Sequence, residues 1–398
     1  MGTRSARDSV VIPTGFDPGS YPCVRSLSRR GVRTIVASEH ENVMAAASRF
    51  CDESVVIPPP DDDLLAYRDA LLGLAARPSV RTIVPVRPRD QYLFARYRES
   101  FENYVSVVTP PLETLNVAID RVRLIEAAEQ AGVPVPDTRR LGEVDDWSGK
   151  QIVKARYNLL ADEYLDGYSE RDSDVVKELE HLAPGEWPDR EELHDEMLHE
   201  PIVQEFVEST DEYVFCASYD RGDALATFQH RQVRGDSYTG GGGVYRETVD
   251  IPELDAVGRQ LLDHLDWHGP ACIEYMRGAD TGEFVLTEIN PRMWQSLACA
   301  VHSGADFPYY YWLQATDRAD EIEPKYDVGT GSHLLYGEIG HLLSIYQENS
   351  PLVDRPSLPG RALEIATSCY AVPQFDTLRL DDPMPFLSGV QRVLSGDR

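Results

Sequence analysis

The front of the chain alternates short apolar runs with amphipathic segments. Helical spacing of apolar residues predicts helices at Pro22–Arg30 and Asp63–Ala76. Apolar and β-branched runs predict buried strands at Ser9–Pro13, Val32–Ala37, Ser54–Pro58, Arg81–Val86 and Val105–Val108. This order of strands and helices is typical of a parallel sheet with helices on its faces. We therefore expect an α/β domain at the front of the chain.

The middle of the chain mixes longer helical patterns with strands. Leu115–Ala131 has helical spacing and ends at Gly132. Apolar strands are predicted at Gln151–Ala155 and Pro201–Val207, on either side of the charged, helical residues 168–200. Further helices are predicted at Leu254–Leu265, Gln295–Ser303 and Phe307–Ala315. Helices and strands are thus interleaved here as well.

A β-hairpin is predicted in the last of these regions. Ala271–Met276 and Glu283–Ile289 are rich in apolar, aromatic and β-branched residues. The intervening residues 278–282, Gly-Ala-Asp-Thr-Gly, are typical of a turn. The hairpin carries an unusual set of polar residues at its open end.

Three oxygen-bearing side chains of this hairpin are predicted to share a surface. Glu274 lies on the first strand, and Glu288 and Asn290 are two apart near the end of the second, so those two point to the same face. Such oxygen ligands suit a hard cation such as Mg²⁺, which takes the rest of its shell from water and phosphates. Arg292 would bring a fork of donors to a phosphate or carboxylate. Taken singly, each carboxylate is better explained as an ordinary solvated hairpin residue, but the whole combination is much harder to obtain by chance.

Composition narrows the classes of protein. The 398 residues carry a formal net charge of −29, which excludes a general binder of nucleic acid or anionic membranes because such a surface repels phosphate. No apolar run approaches the roughly 20 residues that span a bilayer, and the first residues lack the apolar region of a secretory signal. We expect a cytoplasmic protein.

The small number of lysines and the spacing of the cysteines each lead to a further expectation. Lysine occurs only at positions 150, 154, 177 and 325, and strong acidity with few lysines resembles the cytosolic proteins of halophiles. A lysine in such a chain is a better functional candidate than usual. The 6 cysteines are scattered without a C-x-x-C pair, which argues against a zinc site or a disulfide framework.

Several motifs resemble the ATP-grasp superfamily, whose members mostly activate carboxylates as acyl phosphates and couple them to amines or thiols. The hairpin motif E…T-G…E-x-N-P-R resembles its metal-binding hairpin, and D-R-V-R-L-I-E-A-A-E-Q-A-G-V-P-V-P-D-T resembles its entry helix. E-I-N-P-R-M-W-Q-S-L followed by S-G-A-D-F-P resembles the carboxylate–amine ligase branch. The correspondence covers about residues 118–318.

The resemblance implies a fold of α/β class with an α+β ATP-grasp core. It divides the chain into an N-terminal parallel-sheet pre-ATP-grasp domain at 1–117 and an ATP-grasp domain at 118–320. The latter would consist of a lid at about 138–208 and a core at about 209–320. The extension 321–398 matches nothing recognised. Three roles are open for this extension: it could pack as a cap, contact another subunit in a homodimer, or contribute to substrate choice.

The resemblance also implies the residues that would hold ATP. Lys154 ends a buried strand, where its ammonium needs a counter-charge; we assign it to the nucleotide phosphates rather than to a structural ion pair. Arg121 stands where the family commonly has a phosphate-contacting lysine, although a solvated helix residue is an equal alternative. At the hinge, Glu205 would face the adenine amino group, and Phe206 and Val207 would hydrogen-bond the ring edge through their backbone. The ribose hydroxyls would be bound by Glu212.

Two glycine patterns set this chain apart. In the family, the phosphate-binding lysine is followed by a glycine-rich flap that covers the phosphates. In this chain Lys154 is followed by A-R-Y-N-L-L-A-D-E-Y, and the first glycine after it is Gly167. Four glycines occur instead at 240–243, where backbone can approach a ligand closely. A flexible loop is the alternative. The resemblance places Arg231, and also Arg234, near a substrate carboxylate or the γ-phosphate.

The implied activity is ATP- and Mg²⁺-dependent ligation of a small carboxylate to an amine, with Mn²⁺ as an alternative metal. Glu274, Glu288 and Asn290 would hold the metal, and the catalytic groups would be Arg292, Lys154 and Arg231. Two alternatives stay open: an ATP-grasp kinase or carboxylase, and a nucleotide-binding protein without turnover. A nicotinamide-dependent dehydrogenase is disfavoured because G-x-G-x-x-G is missing.

Overall fold

A computed structural model gives the structure of the protein and describes residues 7–176 and 179–395. Within these residues the main strands form three sheets, one parallel and two antiparallel. The fold is therefore mixed α/β, as predicted. No helix in the described part is long and apolar enough to cross a membrane.

The front of the chain forms a parallel sheet with strand order β3-β2-β1-β4. Its elements are β1 (Ser9–Pro13), α1 (Ser20–Arg29), β2 (Arg33–Ser38), α2 (Met44–Ala47), β3 (Glu53–Val56), α3 (Leu64–Ala75), β4 (Val80–Ile83), α4 (Pro88–Arg96) and α5 (Arg98–Glu102). The strand predicted at Val105–Val108 is wrong: it makes only one bridge, between Ser106 and Thr82. Two prolines follow at once, at 110 and 111, and these cannot donate to a ladder.

The helix predicted at Leu115–Ala131 is divided into α6 (Leu112–Ile119) and α7 (Arg121–Ala131). Asp120 separates them with an extended backbone (φ −91°, ψ 104°), and its carboxylate accepts a hydrogen bond from Val122 N at 3.1 Å. A side chain that caps a helix in this way fixes where the helix begins. Gly132 ends α7 with a positive φ of 74°.

The next region forms a small antiparallel sheet with strand order β5-β8-β6-β7. Its elements are β5 (Thr138–Arg140), β6 (Gln151–Lys154), β7 (Leu179–Leu182), α8 (Arg190–Met197) and β8 (Ile202–Glu205). The helical prediction for 168–200 is confirmed only at α8, since 179–182 pairs with β6 as a strand. Residues 177 and 178 of that prediction lie outside the described residues. We call this region the lid sheet.

The largest sheet has strand order β13-β12-β9-β10-β11-β14 and is antiparallel. Its elements are β9 (Ser209–Asp220), β10 (Asp223–Ser237), β11 (Gly240–Thr248), α9 (Pro252–His264), β12 (Gly269–Gly278), β13 (Phe284–Asn290), α10 (Leu297–Ser303), α11 (Phe307–Ala315) and β14 (Gly331–His333). The predicted hairpin is confirmed as β12–β13. One side of this core sheet packs on α7 and α9 around the fully buried Phe215 and Trp267.

The end of the chain is tied into the core sheet. Strand β14 pairs with β11 and leads into α12 (Leu335–Gln347), α13 (Leu358–Ala371) and α14 (Met384–Ser395). The fully buried Arg246 of β11 donates a hydrogen bond to the Asp376 carboxylate. Breaking such a pair would leave an uncompensated buried charge, so it fastens the tail to the sheet. The domain boundaries drawn from the sequence stay a prediction.

Candidate active site

One large cavity of about 1010 Å³ separates the lid sheet from the core sheet. Its lid end is lined by Lys154 of β6 and by residues 206–212. The β12–β13 hairpin forms its centre. The turn between β10 and β11, together with α12, α13 and residues 352–354, forms its far end. Most side chains that the sequence selected meet here.

The two glutamates of the hairpin face each other across its strands. Glu274 of β12 pairs in register with Glu288 of β13, and Cys272 pairs with Asn290. The Asn290 amide nitrogen donates to Glu288 Oε1 at 2.6 Å, and Arg292 Nη2 lies 3.4 Å from Asn290 Oδ1. All four polar side chains line the cavity. The predicted face of the hairpin is thus assembled.

The negative charges of Glu274 and Glu288 repel each other. Burial raises the pKa of Glu274 to about 8, and the carboxylates of Glu288 and Glu212 add to the rise. Burial also acts to raise the pKa of Glu288, but Arg121 and the hydrogen bond from Asn290 outweigh it and lower that pKa. Two carboxylates that face each other on neighbouring strands resist being ionised at the same time, because their charges repel.

This donor set fits a hard divalent cation. A cation between Glu274 and Glu288 would relieve their repulsion and offset their burial. Asn290 can supply a third oxygen when its amide turns over, because Oδ1 then faces the side now occupied by its nitrogen. Carboxylate and amide oxygens with room left for water and phosphate are the ligands that Mg²⁺ takes.

Two cations border the carboxylates on the lid side. Arg121 Nη2 lies 3.3 Å from Glu288 Oε2, and its Nη1 donates to Ala155 O at 2.6 Å. Lys154 lies at the end of β6 in the same cavity. Burial lowers the pKa of Lys154 to about 8, and the Arg121 charge adds to this, while the glutamates oppose it. A polyanion would stabilise both cations.

Glu212 occupies the cavity beside Gln232. The Gln232 amide nitrogen donates to Glu212 Oε2 at 2.7 Å, which leaves the other carboxylate oxygen for a ligand. Burial raises the pKa of Glu212, although the Gln232 hydrogen bond and Lys154 oppose the shift. Phe206 and Val207, which join β8 to β9, also line the cavity. Sequence reasoning found Glu212 but missed Gln232.

Several solved structures, among them synthetases, a ligase and carboxylase domains, have a similar fold. An N5-carboxyaminoimidazole ribonucleotide synthetase in complex with ADP aligns with a TM-score of 0.61 at 15% identity, over 92% of this chain and 98% of that chain. The L-amino acid ligase from Bacillus licheniformis aligns with a TM-score of 0.55 at 14% identity, over 80% and 78%. The biotin carboxylase domain of the Hydrogenobacter thermophilus 2-oxoglutarate carboxylase, with MgADP and bicarbonate, gives 0.58 at 14% identity, over 81% and 71%.

The chain has the ATP-grasp fold. No protein-family model and no curated protein sequence matches it. The similarity is thus one of architecture, and the roles of individual residues must be argued from this chain's own geometry.

One hinge residue of the ATP-grasp pattern does not reach the cavity. The Glu205 side chain is exposed at the end of β8, and its Oε1 accepts a hydrogen bond from Asp137 N at 3.2 Å on the neighbouring strand. Phe206 N donates to Lys150 O at 3.0 Å and is already satisfied. Of the three predicted hinge residues, Phe206 and Val207 line the cavity and Glu205 does not. The expected side-chain role of Glu205 is corrected accordingly.

The arginines of β10 are also placed differently from the expectation. Arg231 does not line the cavity, because successive residues of a strand alternate between its two faces and Gln232 is on the face toward the cavity. Arg231 instead forms ion pairs with Glu247 at 3.1 Å and Asp211 at 3.6 Å. Arg234 lines the cavity, but its guanidinium bonds Glu338 Oε2 at 2.8 Å and Ser368 Oγ at 2.9 Å. Arg231 is therefore removed from the set of catalytic groups.

The Arg234–Glu338 pair belongs to a buried polar cluster behind the cavity. His333 Nδ1 lies 2.8 Å from Glu338 Oε1, and Cys369 is near enough for the three to resemble a metal site. Arg234 already neutralises the only carboxylate of the three. We therefore regard this cluster as the joint between β10, β14 and the tail helices.

The glycine-poor segment after Lys154 crosses from the lid sheet to the front domain. We call residues 155–176 the strap. Arg156 donates to both Asp120 oxygens at 2.9 and 2.6 Å, Arg96 Nη2 bonds Asp162 at 3.0 Å, and Arg89 Nε bonds Ser173 Oγ at 2.8 Å. The strap presents Asn158 and Leu159 to the cavity. Charged side chains anchor it in place of a flexible glycine loop.

The glycines at 240–243 lie against the opposite wall. A Cβ at Gly242 would lie 2.6 Å from Gln295 Oε1, and one at Gly243 would lie 2.4 Å from Gln232 Oε1. Only glycine allows these amides to approach the strand so closely. Protein side chains therefore make the close approach at Gly242 and Gly243, and the approach of a ligand to this backbone stays a prediction.

Proposed function

We propose that the protein is an ATP- and Mg²⁺-dependent ligase, ADP-forming, that activates a small carboxylate as an acyl phosphate and couples it to an amine. The observation that carries the proposal is the convergence of Glu274, Glu288, Lys154 and Arg121 in one cavity. The two carboxylates would bind the metal ion, and the two cationic side chains would bind the triphosphate, so this set of charges suits a metal–triphosphate complex.

The nucleotide would lie at the lid end. The α- and β-phosphates would contact Lys154, whose ammonium is stabilised by the anion, and Arg121 would join it when Glu288 turns to the metal. The ribose hydroxyls would donate to the free oxygen of Glu212, with Gln232 holding the carboxylate in place. Phe206 and Val207 would meet the adenine edge with their backbone.

The reaction would take place between the hairpin and Arg292. Mg²⁺, with Mn²⁺ as an alternative, would neutralise phosphate charge during transfer. Glu274, Glu288 and Asn290 would hold it. The Nε of Arg292 is buried without a hydrogen-bond partner, so the guanidinium has a donor left for the phosphoryl group or for the acyl phosphate. Positioning and electrostatics then carry the catalysis, without a protein nucleophile.

The second candidate is an ATP-dependent carboxylase with the same nucleotide site. Two of the three solved neighbours named above carry carboxylase or carboxyamino chemistry in their names, and one binds bicarbonate. Bicarbonate would then be the carboxylate that is activated. Dependence of ADP release on bicarbonate rather than on a larger carboxylate separates the two.

The rest of the proposal concerns organisation and setting. We keep the division at residues 117 and 320, with the lid at 138–208, and a cytoplasmic location. The acidity, at −29, supports a halophilic setting in which high salt screens self-repulsion. No nucleic acid or membrane partner is proposed.

The test is a screen for ADP release in molar KCl with MgATP, small carboxylates, bicarbonate and amines, singly and in pairs. The proposal expects release that requires both a carboxylate and an amine. ADP release with a carboxylate alone, at an unchanged rate when amines are added, would favour a kinase or carboxylase. No release with any pair, despite tight MgATP binding, would contradict a ligase.

A further inference from the structure

The far end of the cavity has a polar lining that the nucleotide and metal residues do not use. It is built from the tail: His341 of α12, Arg361 of α13 and the loop at 352–354 line it opposite the β10–β11 turn. A volume of about 1010 Å³ lies at the upper end of the range for small-molecule pockets, about 300–1,000 Å³, and leaves room beyond the nucleotide.

His341 presents an acceptor to this compartment. Its Nδ1 lies 2.9 Å from Gly235 O, and because a carbonyl can only accept, Nδ1 carries the proton. The side chain is 3% exposed, and Nε2 is buried without a hydrogen-bond partner. Burial lowers the pKa of His341 against the opposing hydrogen bond to Gly235, and the Arg361 and Arg234 charges add to the shift, which favours a neutral ring whose Nε2 offers a lone pair.

Arg361 supplies the opposite chemistry. Its Nη1 pairs with Glu364 at 2.7 Å, but its Nε is buried and has no hydrogen-bond partner. It lies close enough to His341 to affect that ring's charge. One unsatisfied acceptor and one unsatisfied cationic donor in the lining of one compartment match a ligand with an N–H group and an anionic group.

The geometry points to this compartment as the site of the amine substrate, and to that substrate as a small amine that carries its own carboxylate, as an amino acid does. Its amine N–H would donate to His341 Nε2, and its carboxylate would pair with Arg361. This rests on the proposed function, since an amine that attacks an acyl phosphate must lie in the same cavity as the phosphate. His341 and Arg361 are then specificity residues, and the tail chooses the substrate.

The experiment compares amino acids with their amides as amines in the ADP-release assay. Wild-type protein should use at least one of the twenty amino acids with a KM at least tenfold lower than that of the matching amide. Arg361→Gln should raise that KM more than tenfold and leave the KM for ATP unchanged, and Arg361→Lys should recover part of the loss. His341→Gln should raise the same KM.

Arg318→Gln is the matched control, because Arg318 forms a similar pair with Glu321 three residues on but lies outside the cavity lining. Equal use of amide and amino acid, an unchanged KM in Arg361→Gln, or no stimulation by any amino acid would overturn the inference. Titration with MgADP decides the nucleotide site separately: binding without amino-acid stimulation refutes only the amine site, whereas no binding refutes the proposed function itself.

Discussion

The two walls of the cavity are built from opposite kinds of residue. The strap has a single glycine, Gly167, and is held by Arg–carboxylate pairs such as Arg156–Asp120. The wall at 240–243 consists of glycines only, and at Gly242 and Gly243 glutamine side chains fill the space that Cβ atoms would occupy. The strap is held in place by ion pairs, whereas the glycine wall is held by side chains that pack directly against its backbone.

In this chain, charged side chains hold the segment after Lys154, where the resemblance to the ATP-grasp superfamily led us to expect a glycine-rich flap. A flap of glycines gains contacts to phosphate by bending, at a cost in conformational entropy. The strap instead makes hydrogen bonds to helix α4 and to the N-cap of α7, through Arg96, Arg89 and Asp120. These bonds do not involve a ligand, so we expect binding to require little reorganisation on the lid side of the cavity.

The largest effect is expected from the carboxylate that lies between the walls. Glu288→Gln removes the charge that would hold Mg²⁺ and that now pairs with Arg121. Turnover should fall by roughly a hundredfold or more, about 2.7 kcal/mol in activation free energy, with the melting temperature retained. Glu283→Gln, on the exposed turn of the same hairpin, is the control. Near-normal ADP formation by Glu288→Gln at saturating Mg²⁺ would remove it from the metal site.

A smaller effect should follow when the strap loses an anchor. Asp120→Asn can keep the cap on α7 but loses the charge that binds Arg156, and hydrogen bonds to charged groups contribute about 1.5–3 kcal/mol. The melting temperature should fall, and MgATP should bind several-fold more weakly. Asp172→Asn, an exposed strap residue that bonds only Ser169 within its own turn, should change neither. Unchanged nucleotide affinity in Asp120→Asn would mean that the strap is not part of the binding wall.

The glycine wall can be tested with one added methyl group. Gly243→Ala would place Cβ against Gln232 and disturb its bond to Glu212, so affinity for MgATP should fall a few-fold. Gly73→Ala is the control: this helical glycine has open space around it, and alanine should stabilise the protein by about 0.5–1 kcal/mol. Normal affinity in the Gly243→Ala variant would show that Gln232 can move without cost.

Salt should affect the whole surface more than the strap. The Debye length shrinks from ~10 Å at 0.1 M to ~3 Å at 1 M, so repulsion within a chain of charge −29 is screened across that range. The melting temperature should climb with KCl and level off near 1 M, unless ion hydration or stronger apolar burial adds to it. The partly buried strap pairs are screened less. A flat or falling melting temperature would refute the halophilic interpretation.

The sequence predicted best the parts that depend on local pattern. The hairpin could be placed within two residues because alternation and turn chemistry are local, and E-x-N sets both side chains on one face. The front strands followed from continuous apolar runs. The break at Asp120 was missed because helical spacing continues through it, although an aspartate before Arg-Val-Arg is itself a capping signal.

The parts that depend on register or on distant packing could not be predicted. Whether Arg231 or Gln232 faces the cavity depends on the pairing of β10 with β9 and β11, which includes bulges that no local pattern marks. His341 contacts Gly235 across 106 positions of sequence, so its place in the cavity appears only in the folded chain. Periodicity alone identifies neither.

Calorimetric titration with MgADP in molar KCl tests the central claim most directly, that this cavity is a nucleotide site built on Lys154. Wild type should bind at one site. Lys154→Ala should weaken binding more than tenfold, a loss above ~1.4 kcal/mol. Glu205→Gln should bind like wild type, because that side chain faces away from the cavity. Unchanged affinity in Lys154→Ala, or an equal loss in Glu205→Gln, would contradict the account.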